Sequence, residues 1–437
     1  MFTFKSDCDI IFLVINVEEA YKLFNISDKV IKVANEVENE MEERYKMVDD
    51  IALYNQAKVL KAFKKANISQ MHFGKTTGYG YNDIGREAAE KVYAEVFKAE
   101  AALVRVQFVN GTHAIATTLR GLLMPGDTLL SITGTPYDTL CEVIGIKESK
   151  KSLKEYGIKY HQIELLEDDN MDLEKVKTYL KENKVKVVHI QRSRGYALRK
   201  AFLISDIKEA IEQIRSVDKD VIIMIDNCYG EFVEKMEPTE VGADIVCGSL
   251  IKNIGGGLCE TGGYIVGKKS LIDLCADCLT CPGIGAECGA TMGQNRNIIQ
   301  GIFMAPVTVK NAMKAALFAS LLMQKYGYEV FPKPDAKRAD IVQSIKFGDE
   351  HTLIKFIQGI QAASPVDSNA VPYPWDMPGY ESKVIMAAGT FIEGASIELS
   401  ADSPIRAPYV AYMQGGLTYE SAKLAICSAL ENMLNEE

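Results

Sequence analysis

In "GSLIKNIGGG" a lysine, Lys252, sits three residues past Ser249 at the end of an apolar run and is followed by three consecutive glycines. A lysine amine that is desolvated and neutral can form a Schiff base with an aldehyde. Upstream, "VIIMID" ends in Asp226. A buried carboxylate there can hold a ring nitrogen protonated and keep the ring electron-poor. Further upstream, "VQFV" runs into Asn110-Gly111-Thr112-His113, which opens a helical pattern. Such a helix start offers backbone N–H groups and a hydroxyl to a phosphate. A fourth run, "VVHIQ", ends in Gln191 before Arg192, Ser193 and Arg194. Taken singly, each feature has an ordinary alternative. Asp226 could be a turn residue, Asn110 to Thr112 a plain helix start, and Lys252 a surface lysine on a glycine-rich hairpin. In chain order the three describe one ligand with a phosphate, a pyridine nitrogen and an aldehyde. That ligand is pyridoxal 5'-phosphate, an electron sink for an amino acid's α-carbon. The glycines are expected to let backbone and cofactor come close to Lys252.

These residues need a scaffold that brings strand ends together. Between residues 86 and 267 helical and strand patterns alternate. "REAAEKVYAEVFKAE", "GTHAIATTLRGLLM", "YDTLCEVIGI", "DLEKVKTYLKEN" and "SDIKEAIEQIRSV" read as helices, while "ALVRVQFV", "DTLLSIT", "IKYHQIEL", "VKVVHIQ", "DVIIMIDN", "ADIVCGS" and "GGYIVG" read as strands. Short apolar strands alternating with amphipathic helices mean a mostly parallel sheet covered on both faces. Ligands of such sheets bind at the carboxyl ends of the strands, where all four stretches sit. Before this, residues 19–65 read as helix with Ser27 as its cap. After about Met304 come a long helix, shorter pieces including "HTLIKFIQGIQ" and "SKVIMAA", and a last helix from Tyr419. The expected division is a helical segment 1–65, a large α/β domain 66–305 and a smaller α+β domain 306–437.

Composition sets the outer bounds. With 437 residues and 47% hydrophobic content there is ample material for a large core. A formal net charge of −10 gives no reason to expect nucleic acid or an anionic membrane as partner. No apolar run reaches membrane-spanning length, and "IIFLVINV" near the start lacks a small-residue cleavage site. The ten cysteines are scattered, which suits reduced thiols in a cytoplasmic protein. Cys275, Cys278, Cys281 and Cys288 in "CADCLTCPGIGAEC" have spacings that thiolate metal sites use, but no second pair accompanies them. Small thiols near a helix end are the favoured reading, and no metal is expected. The glycines of "GYGYNDIG" follow no strand and lack the G-x-G-x-x-G spacing, which argues against a dinucleotide oxidoreductase.

The local sequences resemble the fold-type-I pyridoxal-phosphate enzymes of the cystathionine/methionine gamma-lyase group, in the branch called aluminium resistance proteins of the methionine gamma-lyase family. The resemblance runs from about Tyr21 onward through "TGYGYNDIGRE", "FVNGTHAI", "PGDTLLSITGTPYDTL", "IQRSRGYALR", "IDNCYGEF", "GSLIKNIGGG", "LTCPGIGAECG" and "SPIRAPYVAYMQGGLTYE". It implies an α/β chain with the fold-type-I transferase fold: a mostly parallel seven-stranded sheet in the large domain and a smaller C-terminal α+β domain.

The resemblance also implies roles. Lys252 would carry the cofactor as a Schiff base and shuttle protons, with Tyr137 stacked on the ring as the second catalytic residue. Asp226 would pair with the pyridine nitrogen. Gly111, Thr112, His113 and Ser249 would cradle the phosphate. Tyr81 and Arg86 match, with altered spacing, a tyrosine and an arginine that reach a neighbouring subunit's phosphate site. Arg406 would clamp the substrate carboxylate, a task that suits a guanidinium, and Arg192 is the other residue expected at the substrate. The implied activity is β- or γ-elimination from a sulfur amino acid of the methionine, cysteine or cystathionine type, in a cytoplasmic homodimer or homotetramer. "QRSRGY" departs from the P-x-N-P pattern of the main lyase group, so specificity does not transfer with the family. Aminotransfer, aldol cleavage or a non-catalytic cofactor-binding role remain as alternatives, separated from the lyase by thiol release.

Overall fold

The computed structural model describes residues 17–79, 83–377 and 382–435. A short helix α1 (Val17–Lys22) precedes the long α2 (Asp28–Lys65), and the Ser27 hydroxyl caps α2 by accepting from the Val30 N–H at 3.5 Å. Next come α3 (Ile84–Val96), β1 (Ala101–Arg105), α4 (Gly111–Leu122), β2 (Thr128–Ser131), α5 (Asp138–Ile144), β3 (Lys159–Gln162) and α6 (Leu173–Glu182). They are followed by β4 (Val187–Gln191), α7 (Ile204–Val217), β5 (Ile222–Asp226), β6 (Ile245–Ser249), β7 (Gly263–Gly267) and α8 (Lys269–Leu279). The seven strands form one sheet in the order β1-β7-β6-β5-β4-β2-β3. Strands β3, β2, β4, β5 and β6 run parallel, and β7 is antiparallel to both its neighbours.

Side chains alternate across this sheet and both faces are covered. Val188, Ile190, Ile223, Ile225 and Val246 join the core that includes α6, α7 and the long helices. Val187, Met224, Ile245 and Cys247 join a second core with Ile115 and Leu119 of α4 and Ile272 and Cys275 of α8. A strand buried on both faces needs an unbroken apolar run, which is why these strands were legible as such.

Helix α9 (Asn295–Lys325) leads into β8 (Glu329–Phe331), β9 (Gln343–Lys346), α10 (Glu350–Ala362), β10 (Val384–Ala387), β11 (Ser400–Pro404), β12 (Val410–Gln414) and α11 (Tyr419–Leu434). These five strands make an antiparallel sheet in the order β10-β11-β12-β9-β8. The boundary expected between residues 305 and 306 falls inside α9, which passes without interruption through Pro306. Among the described residues no helix is long and apolar enough to cross a membrane.

Candidate active site

Parallel strands β4, β5 and β6 end side by side, which brings Gln191, Asp226 and Ser249 to one edge of the sheet. The N-terminus of α4 opens onto the same edge. Together with segments of the second sheet they enclose a cavity of about 490 Å³, lined by Gly111, Thr112, Tyr137, Asp226, Ser249, Lys252 and Arg406 among others. Lys252 lies just beyond β6, before the 3₁₀ turn Asn253–Gly255.

At the α4 corner, Asn110 caps the helix by accepting from the His113 N–H at 2.9 Å. The N–H groups of Gly111 and Thr112 belong to the first turn and have no acceptor within the helix. A Cβ on Gly111 would come within 3.0 Å of Ser249 Cβ, so only glycine leaves this cradle open. The Ser249 hydroxyl is buried without a hydrogen-bond partner among the described residues. The Tyr137 hydroxyl donates to Thr112 Oγ1 at 3.0 Å, and its N–H donates to Gln191 Oε1 at 3.0 Å. Burial, with Asp226 nearby, pushes the Tyr137 phenol well up, so it stays protonated.

Asp226 is buried and accepts from the Cys228 N–H at 3.1 Å. Burial raises its pKa, and Lys252 opposes that shift. A protonated ring nitrogen would answer the same buried carboxylate. Burial lowers the Lys252 pKa, yet Cys228, Tyr229, Asp226 and Tyr137 around it outweigh burial and raise it overall. That direction runs against the depressed amine expected from the sequence, and the Asp226 carboxyl is among the groups that favour the charged form.

The glycines of the lysine loop also serve another purpose than expected. None of Gly255, Gly256 and Gly257 lines the cavity. A Cβ on Gly255 would overlap the Leu250 carbonyl, one on Gly256 the Gly301 carbonyl of α9, and one on Gly257 the Leu417 side chain. Gly256 and Gly257 adopt left-handed φ values of 58° and 75°. They let the loop press against α9 and do not make room for a ligand.

Other expected residues lie elsewhere. His113 does not line the cavity: its Nδ1 accepts from the Val109 N–H at 3.1 Å, and its ring meets Phe108 edge-on. Arg192 is fully buried and is not at the substrate. It donates to Asn227 Oδ1 at 2.8 Å, to the Gly230 carbonyl at 2.9 Å and to Glu234 Oε2 at 2.8 Å, clamping the turn after Asp226. Arg86 lies outside its own chain's cavity, donating to the carbonyls of Gly78, Gly289 and Glu287. Tyr81 lies outside the described residues. Arg406 is exposed at the cavity rim, and among the described residues no ion pair or side-chain hydrogen bond engages its guanidinium. Cys275 is buried against α4, whereas Cys278 and Cys281 are exposed, and no group of three or more potential ligands among the described residues could hold a metal.

The cavity also holds residues that the sequence did not single out. Tyr229 faces Lys252, and Gln414 and Val342 enter from the second sheet. Tyr196 donates to Asp402 Oδ2 at 3.1 Å, and Asp402 also accepts from Gln414 Nε2 at 3.1 Å. Burial lifts the Asp402 carboxyl to about 6. Tyr196, Tyr229 and Gln414 fall inside motifs quoted above but carried no role there, because their placement depends on how the second sheet packs against the first.

The family model for methionine gamma-lyase matches residues 30–434. The chain belongs to the methionine gamma-lyase family. It is a fold-type-I chain and its cofactor is pyridoxal 5'-phosphate. It is 51% identical to a Clostridium acetobutylicum protein of solved structure, provisionally described as a cystathionine beta-lyase involved in aluminum resistance, with a TM-score of 0.92 over 96% of this chain and 99% of that one. It is 50% identical to the uncharacterized protein YnbB of Bacillus subtilis, over 93% of this chain and 97% of that protein. The L-methionine gamma-lyase of Fusobacterium nucleatum subsp. polymorphum is 25% identical over 55% of this chain and 57% of its own length. For this family member the cavity fits the cofactor on its own chemistry. It offers an open α4 N-terminus with an unpartnered hydroxyl, a buried carboxylate and a lysine amine.

Proposed function

We propose that this chain is a carbon–sulfur lyase acting on a sulfur-containing amino acid by β- or γ-elimination. One observation carries the reading: Lys252, Asp226 and the free guanidinium of Arg406 converge on a single cavity beside the phosphate cradle. The names of its relatives support it.

When bound, pyridoxal phosphate supplies an electron-poor ring that takes up the charge left on an amino acid's α-carbon. Gly111, Thr112 and Ser249 would hold its phosphate, and Asp226 would keep a proton on its ring nitrogen. Lys252 Nζ would be its attachment point, and the same amine would accept the α-proton and later return a proton. Arg406 pairs with the substrate carboxylate through two parallel hydrogen bonds, which fixes the amino acid's orientation. Tyr137, held by Thr112 and Gln191, walls the cavity and limits water. With a thiol or thioether sulfur on the β-carbon as leaving group, loss of the α-proton suffices for elimination, whereas a γ-thioether needs a second proton removed from the β-carbon. Either course takes up one water and yields a 2-oxo acid, ammonia and a thiol.

The test is product analysis on L-cystathionine, L-cysteine and L-methionine, with borohydride reduction and peptide mapping of the purified protein. Thiol and ammonia release, with a pyridoxyl adduct on Lys252 and no release by Lys252→Ala, is the expected result. Amino-group transfer without thiol release would overturn the lyase reading.

A further inference from the structure

Lys252 Nζ stands 4.0 Å from the centre of the Tyr229 ring. The backbone of Tyr229 is left-handed, with φ of 70°, a conformation that favours glycine and costs a bulky residue strain. The ring is nonetheless tied in place, since its hydroxyl accepts from Ser396 Oγ at 3.2 Å, a residue of the segment between β10 and β11. Gly230 follows directly, and its carbonyl accepts from the buried Arg192 guanidinium at 2.9 Å, which ties down the turn beside Tyr229. An aromatic side chain held under strain against a reactive amine marks a role for the ring itself.

We infer that Tyr229 is a positioning residue that sets the protonation of Lys252 by presenting its ring face to Nζ. The inference rests on Lys252 being the cofactor's attachment point. The face of an aromatic ring carries negative potential and attracts an ammonium but not a neutral amine, most strongly where water is excluded. The other groups acting on Lys252 are Asp226 and Cys228 from the end of β5, Glu231 from the turn beyond it, Tyr137 from the start of α5 and Asp402 from β11. Asp226 and the ring both favour the charged form. Attachment of an aldehyde needs the neutral amine, and return of a proton to substrate needs the ammonium. The ring therefore trades ease of attachment for a loaded proton donor.

The test uses the full-length protein, stripped of cofactor with hydroxylamine and offered pyridoxal 5'-phosphate across a range of pH. Attachment is trapped with borohydride and located by peptide mass. Removing the ring lowers the amine's pKa, so the neutral form is present at lower pH. Tyr229→Gly, which also relaxes the backbone, is expected to move the midpoint of attachment down by about one pH unit. Tyr229→Asn, which tolerates a left-handed backbone, should do the same, and Tyr229→Phe should keep the wild-type midpoint. An unchanged midpoint in the Gly and Asn variants, with the adduct still on Lys252, overturns the inference alone. A Phe variant that behaves like Gly assigns the effect to the Ser396 contact and overturns it too. A wild-type adduct on another lysine overturns the Lys252 reading and the inference with it.

Discussion

At the scale of single residues the site is governed by what burial does to charge. Asp226 is a carboxylate with little water and one backbone donor, so a protonated ring nitrogen is its natural partner. Asp226→Asn keeps the shape but loses a charge-assisted hydrogen bond of about 1.5–3 kcal/mol, and cofactor affinity should fall by about 10–100-fold, measured by equilibrium dialysis. His189 shows the same physics away from the site. It lies on β4, both ring nitrogens lack partners among the described residues, and burial pushes its pKa down to about 4. Between pH 6.5 and 4 the unfolded chain takes up this proton and the folded chain does not. Stability due to His189 is therefore present above pH 6.5 and lost as pH falls, with a slope of up to about 1.4 kcal/mol per pH unit. His189→Leu should flatten that part of the slope in denaturant titrations between pH 4 and 7. A variant with the wild-type slope would contradict the assignment.

At the scale of elements, the site depends on how tightly the lysine loop packs against α9. A Cβ on Gly256 would meet the Gly301 carbonyl and the backbone at Ala305, and its φ of 58° adds strain. Gly256→Ala should cost about 1–3 kcal/mol and displace Lys252, so attachment of pyridoxal phosphate is lost more completely than the fold. Gly283→Ala is the control: its φ is 91° but nothing lies within 4 Å of the added Cβ, so only backbone strain is expected. Denaturation midpoints and cofactor absorbance read the two effects separately. This pair also marks where the sequence was legible. The strands β4, β5 and β6 stood out because burial on both faces demands apolar runs, and their ends gave Asp226, Ser249 and Lys252. The reason for the glycines did not stand out, since it lies in α9, some 45 residues further along the chain. His113 and Arg192 were misplaced for a related cause. Position in a motif says which loop a residue occupies, while the side chain's direction is settled by its packing partners: Phe108 just before α4 for His113, and Asn227 after β5 for Arg192. Strands β8, β9 and β12 were not singled out as strands, and the reach of Asp402 on β11 and Gln414 on β12 toward the cavity was not read either, since it depends on how the second sheet packs against the first.

At the scale of the whole molecule, charge balance points beyond one chain. Gly111, Thr112 and Ser249 at the phosphate corner are neutral donors. The arginines among the cavity residues are otherwise engaged or stand at the rim: Arg194 pairs with Asp340 at 3.5 Å, Arg199 donates to the carbonyls of Lys200, Gln191 and Ser193, and Arg406 faces the substrate side. A phosphate dianion in that corner needs a cation from elsewhere. The family resemblance implies a second copy in the assembly, and we propose that this copy supplies the missing cation. The protein should then scatter light as a homodimer or homotetramer. Its cofactor should be retained at high protein concentration and released on dilution to the range where subunits separate, because binding and assembly are linked. Absorbance of retained cofactor against protein concentration, read beside the scattering mass, checks this. A monomer that keeps its cofactor on dilution would mean that the phosphate charge is met within one chain.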